Sequence, residues 1–133
     1  MCDKVIIFHL KKEWFDKFKS GEKTHEYRVM SLSWMKALRD NFVCFDVAKK
    51  FQIACECGQT EDFGHKYMHN KGYVRLACGY PGFNEKDRHR WMTAKIKSIL
   101  TNIDGRMTDL EIDEPVFDIE LKDFKEGWEI NDK

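Results

Sequence analysis

The hydrophobic pattern at the start of the chain predicts a strand, a helix, a second strand and a second helix. The run KVIIFHL, residues 4–10, is apolar on both alternating sets of positions, as in a strand covered on two sides. In KKEWFDKFKSG the aromatic residues share one helical face, and Gly21 stands where a helix can end in the left-handed conformation. From Lys23 the period becomes two, and SLSWMKALRD then predicts a short helix with Ser33 as its N-cap.

The later part of the chain predicts mainly strands. YVRLACGYPGF indicates a strand that enters a turn, and both WMTAKIKSIL and PVFDIELKDF alternate between two faces. Residues 41–72 show no clear period: FVCFDVAKKFQIACE fits a helix or a strand, and the polar stretch after it is typical of an inserted loop. Since short strands outnumber helices, we predict an α+β fold built on a small curled sheet or barrel.

Length and composition are those of one folded domain, which we predict to cover residues 1–133 with an insertion at 41–72. Hydrophobic residues at 42% and aromatic residues at 14% exclude a disordered chain. No apolar run approaches the length of a membrane span, and the first residues do not have the pattern of a signal peptide. The five cysteines are an odd number, which favours free thiols, so we expect a soluble cytoplasmic protein without membrane contact.

The net charge of zero hides an uneven distribution. Residues 109–133 contain ten acidic and three basic residues, a balance of −7, so the preceding part has a balance of +7. A basic body can present a local positive surface to an anionic partner, although neutrality overall argues against strong non-specific binding to nucleic acid.

The stretch GEKTHEYR, residues 21–28, is the first candidate site. Glu26 and Arg28 project to one face of the predicted strand together with Thr24, while the alternate positions from His25 to Val29 are expected to pack. With Lys23 at the entrance of the strand, the cations can attract a phosphate or polarise a carbonyl, and Glu26 can accept a proton or a hydrogen bond. The alternative is a solvent-exposed strand with an ion pair of little energetic value.

A second candidate is the basic and aromatic segment EKDRHRWMTAKIK, residues 85–97, with the aromatic residues that precede it. Cations beside aromatic rings are the ingredients of single-stranded RNA recognition. The alternative is a charged loop that leads into an ordinary strand whose tryptophan lies in the core. The candidate ligand-binding residues are Arg28, Tyr80, Arg88, Arg90, Trp91 and Lys95.

A third candidate is a zinc site in the segment 41–72. Two thiols and two imidazoles can close a tetrahedral site, and the two histidines have a spacing that is common in structural zinc modules. The Cys-x-Cys spacing is tighter than usual, however, and free cysteines are often simply buried. The four residues are Cys55, Cys57, His65 and His69.

GEKTHEYR after the aromatic helix EWFDKFKS resembles the signature G-x-K-T-x-E-x-R of the ASCH domain, a branch of the PUA-like superfamily. The order of the strands VIIFHL, VRLACGY, MTAKIKSI and VFDIELKDF is similar as well. The resemblance implies a PUA-like mixed β-barrel with short flanking helices, a cleft beside the motif, and a role in binding RNA or modified nucleosides. In ASCH proteins that hydrolyse N4-acylated cytidine, the motif lysine assists a threonine nucleophile.

By that resemblance Lys23 and Arg28 match the lysine and arginine of the motif. Glu26 occupies the position of the nucleophile, and Thr24 matches a threonine two residues before it. Three functions remain open: an RNA- or nucleotide-binding domain; a small amidohydrolase of acylated cytidine nucleosides, or a ribonuclease, with Lys23, Glu26 and Thr24 as catalytic residues; and a zinc-stabilised protein-interaction module. Zinc is the one cofactor that the sequence suggests, and the motif is compatible with both a binding protein and an enzyme.

Overall fold

A computed structural model describes residues 5–64 and 72–130. Within them the chain forms two compact units, each assembled from separate stretches of sequence. The first unit contains residues 5–24, 73–96 and 121–130, and the second contains residues 25–64, 72 and 97–120. Among the described residues, no helix has the length and apolar character needed to cross a membrane.

The secondary structure is a mixed sheet with short helices. Strands in the sheet follow the order β1-β4-β5-β6-β2, and β3 pairs with β5; β1 runs parallel to β4, whereas β2–β6, β3–β5 and β4–β5 are antiparallel. This confirms the predicted α+β class and is consistent with a PUA-like barrel. The elements are β1 (Ile6–Leu10), α1 (Lys12–Ser20), β2 (His25–Val29), α2 (Leu32–Asn41), α3 (Ala48–Glu56), β3 (Asp62–Phe63), β4 (Tyr73–Cys78), β5 (Trp91–Asp104) and β6 (Pro115–Glu126), with 3-10 turns at Phe45–Val47, Glu85–Arg90 and Gly105–Met107.

In the first unit, α1 docks its aromatic face on the core as predicted. Phe15 and Phe18 are buried, and the Phe18 ring lies 5.8 Å from that of Phe124. The helix ends at Gly21, whose φ of 83° is left-handed and whose amide donates to the carbonyl of Phe18. A residue without a Cβ makes this conformation accessible at no steric cost, so the chain can turn directly toward β2.

In the second unit, α2 begins two residues earlier than predicted. The side chain of Ser31, not Ser33, accepts the hydrogen bond from the Trp34 amide at 3.2 Å, so Ser31 is the N-cap. Met35 and Leu38 are buried. The expectation for Ser33 was wrong because either serine satisfies the sequence pattern and only the backbone geometry distinguishes them.

The described part of the segment 41–72 belongs to the core of the second unit. Its ambiguous stretch forms the helix α3, and the Phe51 ring meets Phe63 edge to face at 4.9 Å and stacks on Phe117 at 5.9 Å. Two side chains of β5 hold the end of this helix and the chain that follows. Thr101 donates to the Gln59 carbonyl at 2.7 Å, and the amide of Asn102 donates to the carbonyls of Ala54 and Gln59 at 3.0 and 2.7 Å.

Candidate functional site

Lys23 lies in the first unit, against the aromatic face of α1. The turn at Gly21 leads the chain back along the helix, and the Lys23 amide donates to the Lys17 carbonyl at 3.1 Å. Its ammonium group stands 5.4 Å from the ring centroids of both Trp14 and Phe18. This cation–π geometry defines the position of the charge and stabilises it by about 0.5–1 kcal/mol per exposed contact.

Glu26 and Arg28 form a closely packed ion pair in the second unit. Oε2 of Glu26 accepts from Nε of Arg28 at 2.8 Å and lies 2.6 Å from its Nη2. The two side chains are only 8% and 23% exposed, and the guanidinium carbon lies 5.1 Å from the centroid of the Trp34 ring. The carboxylate therefore serves first to neutralise a half-buried arginine, whereas a general base must hold a water molecule or a substrate hydroxyl.

The predicted orientation of β2 is wrong at two positions. We expected Glu26 on the polar face and Val29 on the packed face, but Glu26 is 6% exposed and Val29 is 37% exposed. The physical reason is the hydrogen-bonded ion pair with Arg28. It gives the carboxylate a charged partner, which offsets the free-energy cost of burying it. Alternation alone cannot show which face of a strand turns inward when both faces contain polar groups.

A histidine–aspartate pair on the opposite face of β2 was not predicted. Nδ1 of His25 lies 2.6 Å from Oδ1 of Asp118, and the His25 ring stacks at 6.3 Å on that of Tyr27. Burial, and then the charges of Asp118 and Asp109, raise the pKa of the Tyr27 hydroxyl. His25 and Asp118 are 93 residues apart in the sequence, so their proximity follows only from the pairing of β2 with β6.

The basic and aromatic segment does not form a row of displayed cations and rings. Trp91 is 1% exposed, its Nε1 donates to the Gly82 carbonyl at 2.9 Å, and its ring stacks on Phe83 at 4.5 Å. It lies in the core of the first unit and offers no open face for a base. This agrees with the alternative reading of the segment.

Arg88 and Lys95 are both engaged within the first unit. Arg88 pairs with Glu129 and lies 5.5 Å from the Trp128 ring, and its hydrogen bond is the main reason that the pKa of Glu129 is lowered. The Lys95 ammonium stands 5.0 Å from the ring of Tyr73, its partner on β4. These two cations stabilise the surface of the unit.

Tyr80 and Arg90 lie instead at the end of β4. The Tyr80 ring is 83% exposed and stacks at 4.3 Å on His9, whose Nδ1 donates to the Gly79 carbonyl at 2.8 Å. Arg90 donates from Nη2 and Nε to the Cys78 carbonyl at 2.8 and 3.2 Å. Each side chain is fixed by a neighbour on an adjacent element, which limits the conformational entropy lost on binding a ligand.

A cavity of about 530 Å³ lies in the first unit between α1 and the end of β4. Four residues of α1 at helical spacing face it, because positions i, i+3, i+4 and i+7 share one side of a helix. Of the described residues that line it, four are cations and one is a carboxylate, and the rest include apolar side chains. The lining consists of Leu10, Lys11, Lys12, Phe15, Asp16, Lys19, Cys78, Gly79, His89 and Arg90.

Arg90 is the one residue of this lining that was predicted to bind a ligand, and the cavity itself was not predicted. Cys78, His89 and the charged residues of α1 were not among the predicted ligand-binding residues. The sequence does contain a signal: Lys12, Asp16 and Lys19 recur at helical spacing beside Phe15. Nothing local indicates that the end of β4 approaches that side, since the parallel pairing of β1 with β4 brings it there.

The predicted zinc site falls partly outside the described residues, where His65 and His69 lie. Cys55 is half-buried in α3, and burial raises the pKa of its thiol to about 11, whereas a metal ligand must be a thiolate. Cys57 is exposed at the end of the helix. Within residues 5–64 and 72–130, no group of three or more histidine, cysteine, aspartate or glutamate side chains is arranged to hold a metal ion.

Comparison with known proteins found no family model, no curated protein and no solved structure that matches this chain. The resemblance to the ASCH domain rests on the motif GEKTHEYR and the order of the elements around it.

Proposed function

We propose that the protein binds single-stranded RNA through the end of β4 in the first unit. The observation that carries the proposal is the cation-lined cavity, which lies beside Gly79, the residue that precedes the exposed ring of Tyr80. Single-strand binding proteins combine these two components, positive charge for the backbone and an aromatic face for a base.

The Tyr80 ring is suited to stacking with a nucleobase. One of its faces is backed by His9 at 4.3 Å, and the side chain as a whole is 83% exposed. Stacking of a base on an aromatic side chain contributes roughly 1–3 kcal/mol, and it depends little on base identity because every base has a π-face. We therefore expect binding with weak sequence preference.

The charges of the cavity supply the second component. Lys11, Lys12, Lys19 and Arg90 stand around it with Asp16 as the acidic residue, which leaves an excess of positive charge. Contacts of this kind release counterions from the nucleic acid, so the affinity falls as the salt concentration rises. Local clustering of this kind fits a chain whose total charge is zero, because the charge is concentrated where the ligand lies.

The test is fluorescence anisotropy with a labelled single-stranded RNA of about eight nucleotides. We expect Tyr80→Ala to weaken binding about tenfold and Tyr80→Phe to change it less than about twofold, since the phenyl ring preserves stacking. Phe45→Ala is the matched control, because Phe45 is another strongly exposed aromatic residue but belongs to the second unit. Binding that survives about 0.5 M salt, or that does not depend on Tyr80, would contradict the proposal.

A further inference from the structure

The cavity between α1 and the end of β4 has the size and lining of a nucleotide site. Its volume of about 530 Å³ falls within the range of roughly 300–1,000 Å³ that small-molecule sites occupy. Leu10 and Phe15 provide apolar surface, while the cations supply charge. A ligand with a flat, partly apolar body and an anionic end matches both parts of this lining.

The charge balance of the lining distinguishes between two kinds of phosphate. An internal phosphate diester has one negative charge, whereas a terminal phosphate monoester has roughly −1.5 to −2 at pH 7 and three acceptor oxygens. Within the lining itself, four cations and Asp16 give an excess of three positive charges, to which a monoester is a closer match than a diester; Glu126 and Asp87, which pair with Lys19 and Arg90, lie outside the lining. The geometry points to a terminal phosphate monoester, and we infer that the cavity binds the phosphorylated terminal nucleotide of an RNA strand. This inference rests on the proposed function.

The cations are held in ways that allow them to meet such a ligand. Arg90 is positioned by the Cys78 carbonyl, a neutral acceptor, and its Nη1 lies 3.7 Å from Oδ1 of Asp87, in a long ion pair whose side chains are 38% and 23% exposed. Lys12 pairs with Asp16 at 2.6 Å and Lys19 with Glu126 at 3.5 Å, but these four side chains are between 47% and 81% exposed. Exposed pairs contribute little to stability, so exchanging a carboxylate for a phosphate costs little.

The location of the cavity also explains how one RNA strand can contact both the cations of the cavity and the ring of Tyr80. Gly79 lines the cavity and its amide donates to the Leu10 carbonyl at 2.9 Å, which joins the ends of β4 and β1. Tyr80 follows directly in the chain. A terminal nucleotide in the cavity therefore leaves the next base within reach of an exposed ring.

The experiment compares three forms of one RNA of about eight nucleotides: with a 5′-phosphate, with a 3′-phosphate, and with hydroxyl groups at both ends. We expect one phosphorylated form to bind roughly tenfold more tightly than the unphosphorylated form, as for a hydrogen-bonded charge pair. The form that gains affinity identifies the end that enters the cavity.

Variants then locate the effect. Lys19→Ala should remove most of the preference for the phosphorylated form, while Lys17→Ala, which removes the same charge from the same helix, should keep it. Lys17 does not line the cavity and lies 5.0 Å from the Trp14 ring. Asp16→Asn should increase the preference, because it removes the acidic residue of the lining.

The outcomes separate this inference from the proposed function. If all three forms bind equally and still depend on Tyr80, the protein binds RNA but the inference is overturned. If none of them binds, RNA binding is overturned, and titration with a nucleoside 5′-monophosphate against the nucleoside then tests the cavity alone. Binding of the monophosphate that Lys19→Ala weakens supports the monoester site, and equal or absent binding of both compounds rejects it.

Discussion

Two ion pairs with the same closest distance behave as opposites in this protein. Lys12–Asp16 in the first unit and Arg28–Glu26 in the second both have charged atoms 2.6 Å apart. The first pair is 81% and 52% exposed, whereas the second is 23% and 8% exposed. Water screens the first pair and competes for both partners, while the second has few alternatives to its own partner.

The difference separates a surface that is available to a ligand from a contact that maintains the fold. A buried pair is costly to break because the remaining charge has lost its solvent, and an exposed pair exchanges partners readily. The motif that first suggested a site thus contains the more structural of the two pairs. The helix before it contains the pair that an anion can open.

The strongest test of this contrast is Glu26→Gln. The substitution leaves the Arg28 charge half-buried with a neutral partner, so the free energy of unfolding should fall by roughly 2–4 kcal/mol, somewhat less than for a fully buried pair. Denaturant unfolding at pH 7 measures it. RNA binding by the folded variant should be unchanged.

Glu120→Gln is the matched control for that substitution. Glu120 lies on β6 and pairs with Lys97 at 3.5 Å, but the two side chains are 30% and 58% exposed. We expect the free energy of unfolding to change by no more than about 0.5 kcal/mol, as for other exposed pairs. If the two glutamine variants lose the same stability, burial is not what distinguishes the pairs.

Asn102→Ala tests whether buried polar contacts also matter elsewhere in the second unit. Asn102 has a φ of 53°, and its side chain donates to the carbonyl of Ala54 in α3 and to that of Gln59 just after the helix. Losing these bonds and placing alanine in the left-handed region should cost about 2 kcal/mol. Asn102→Gly removes the backbone strain, because glycine adopts a positive φ freely. It should therefore lower the free energy of unfolding by about half as much.

Thiol reactivity extends the comparison to cysteines. Burial raises the pKa of Cys55 to about 11, so below that value its thiolate fraction, and its alkylation rate, should rise about tenfold per pH unit. Cys78 lines the cation-rich cavity. At pH 8 iodoacetamide should modify Cys55 at least about tenfold more slowly than Cys78, as measured by mass spectrometry of the peptides. Equal rates would show that Cys55 is not shielded as the structure indicates.

The smallest effect is expected for the exposed pair itself. Lys12→Ala and Asp16→Ala should leave the midpoint of denaturant unfolding unchanged within error, because both side chains are largely in solvent. The hydrogen bond from Lys12 to Asp16 raises the pKa of Lys12, so Lys12 remains charged throughout the neutral range. A marked loss of stability in either variant would show that this pair, like Glu26–Arg28, stabilises the fold.

The sequence predicted most of the regular elements because their periodicity reflects local burial. The apolar run of β1, the aromatic face of α1 and the left-handed Gly21 were all recognisable from short windows. The helix α3 was not, because its apolar residues Phe51 and Ala54 pack inward in a stretch that equally fits a strand.

The candidate site was less predictable, because it depends on strand pairing. Arg90 and Tyr80 were identified from their chemistry, but the cavity needs α1 and the end of β4 together, and these are about sixty residues apart in the sequence. The burial of Trp91 and the inward position of Glu26 likewise follow from neighbours that no short window contains. Charge pattern predicts which residues are polar, and pairing decides which of them meet.

The interleaving of the two units has a consequence for how this chain can be inherited or divided. The backbone passes from one unit to the other after Thr24, Gly72, Ile96 and Glu120, so no single stretch of the gene encodes either unit. A fusion, a truncation or a recombination event therefore transfers parts of both. The exposed cavity and the buried ion pair must therefore be gained, lost and expressed together.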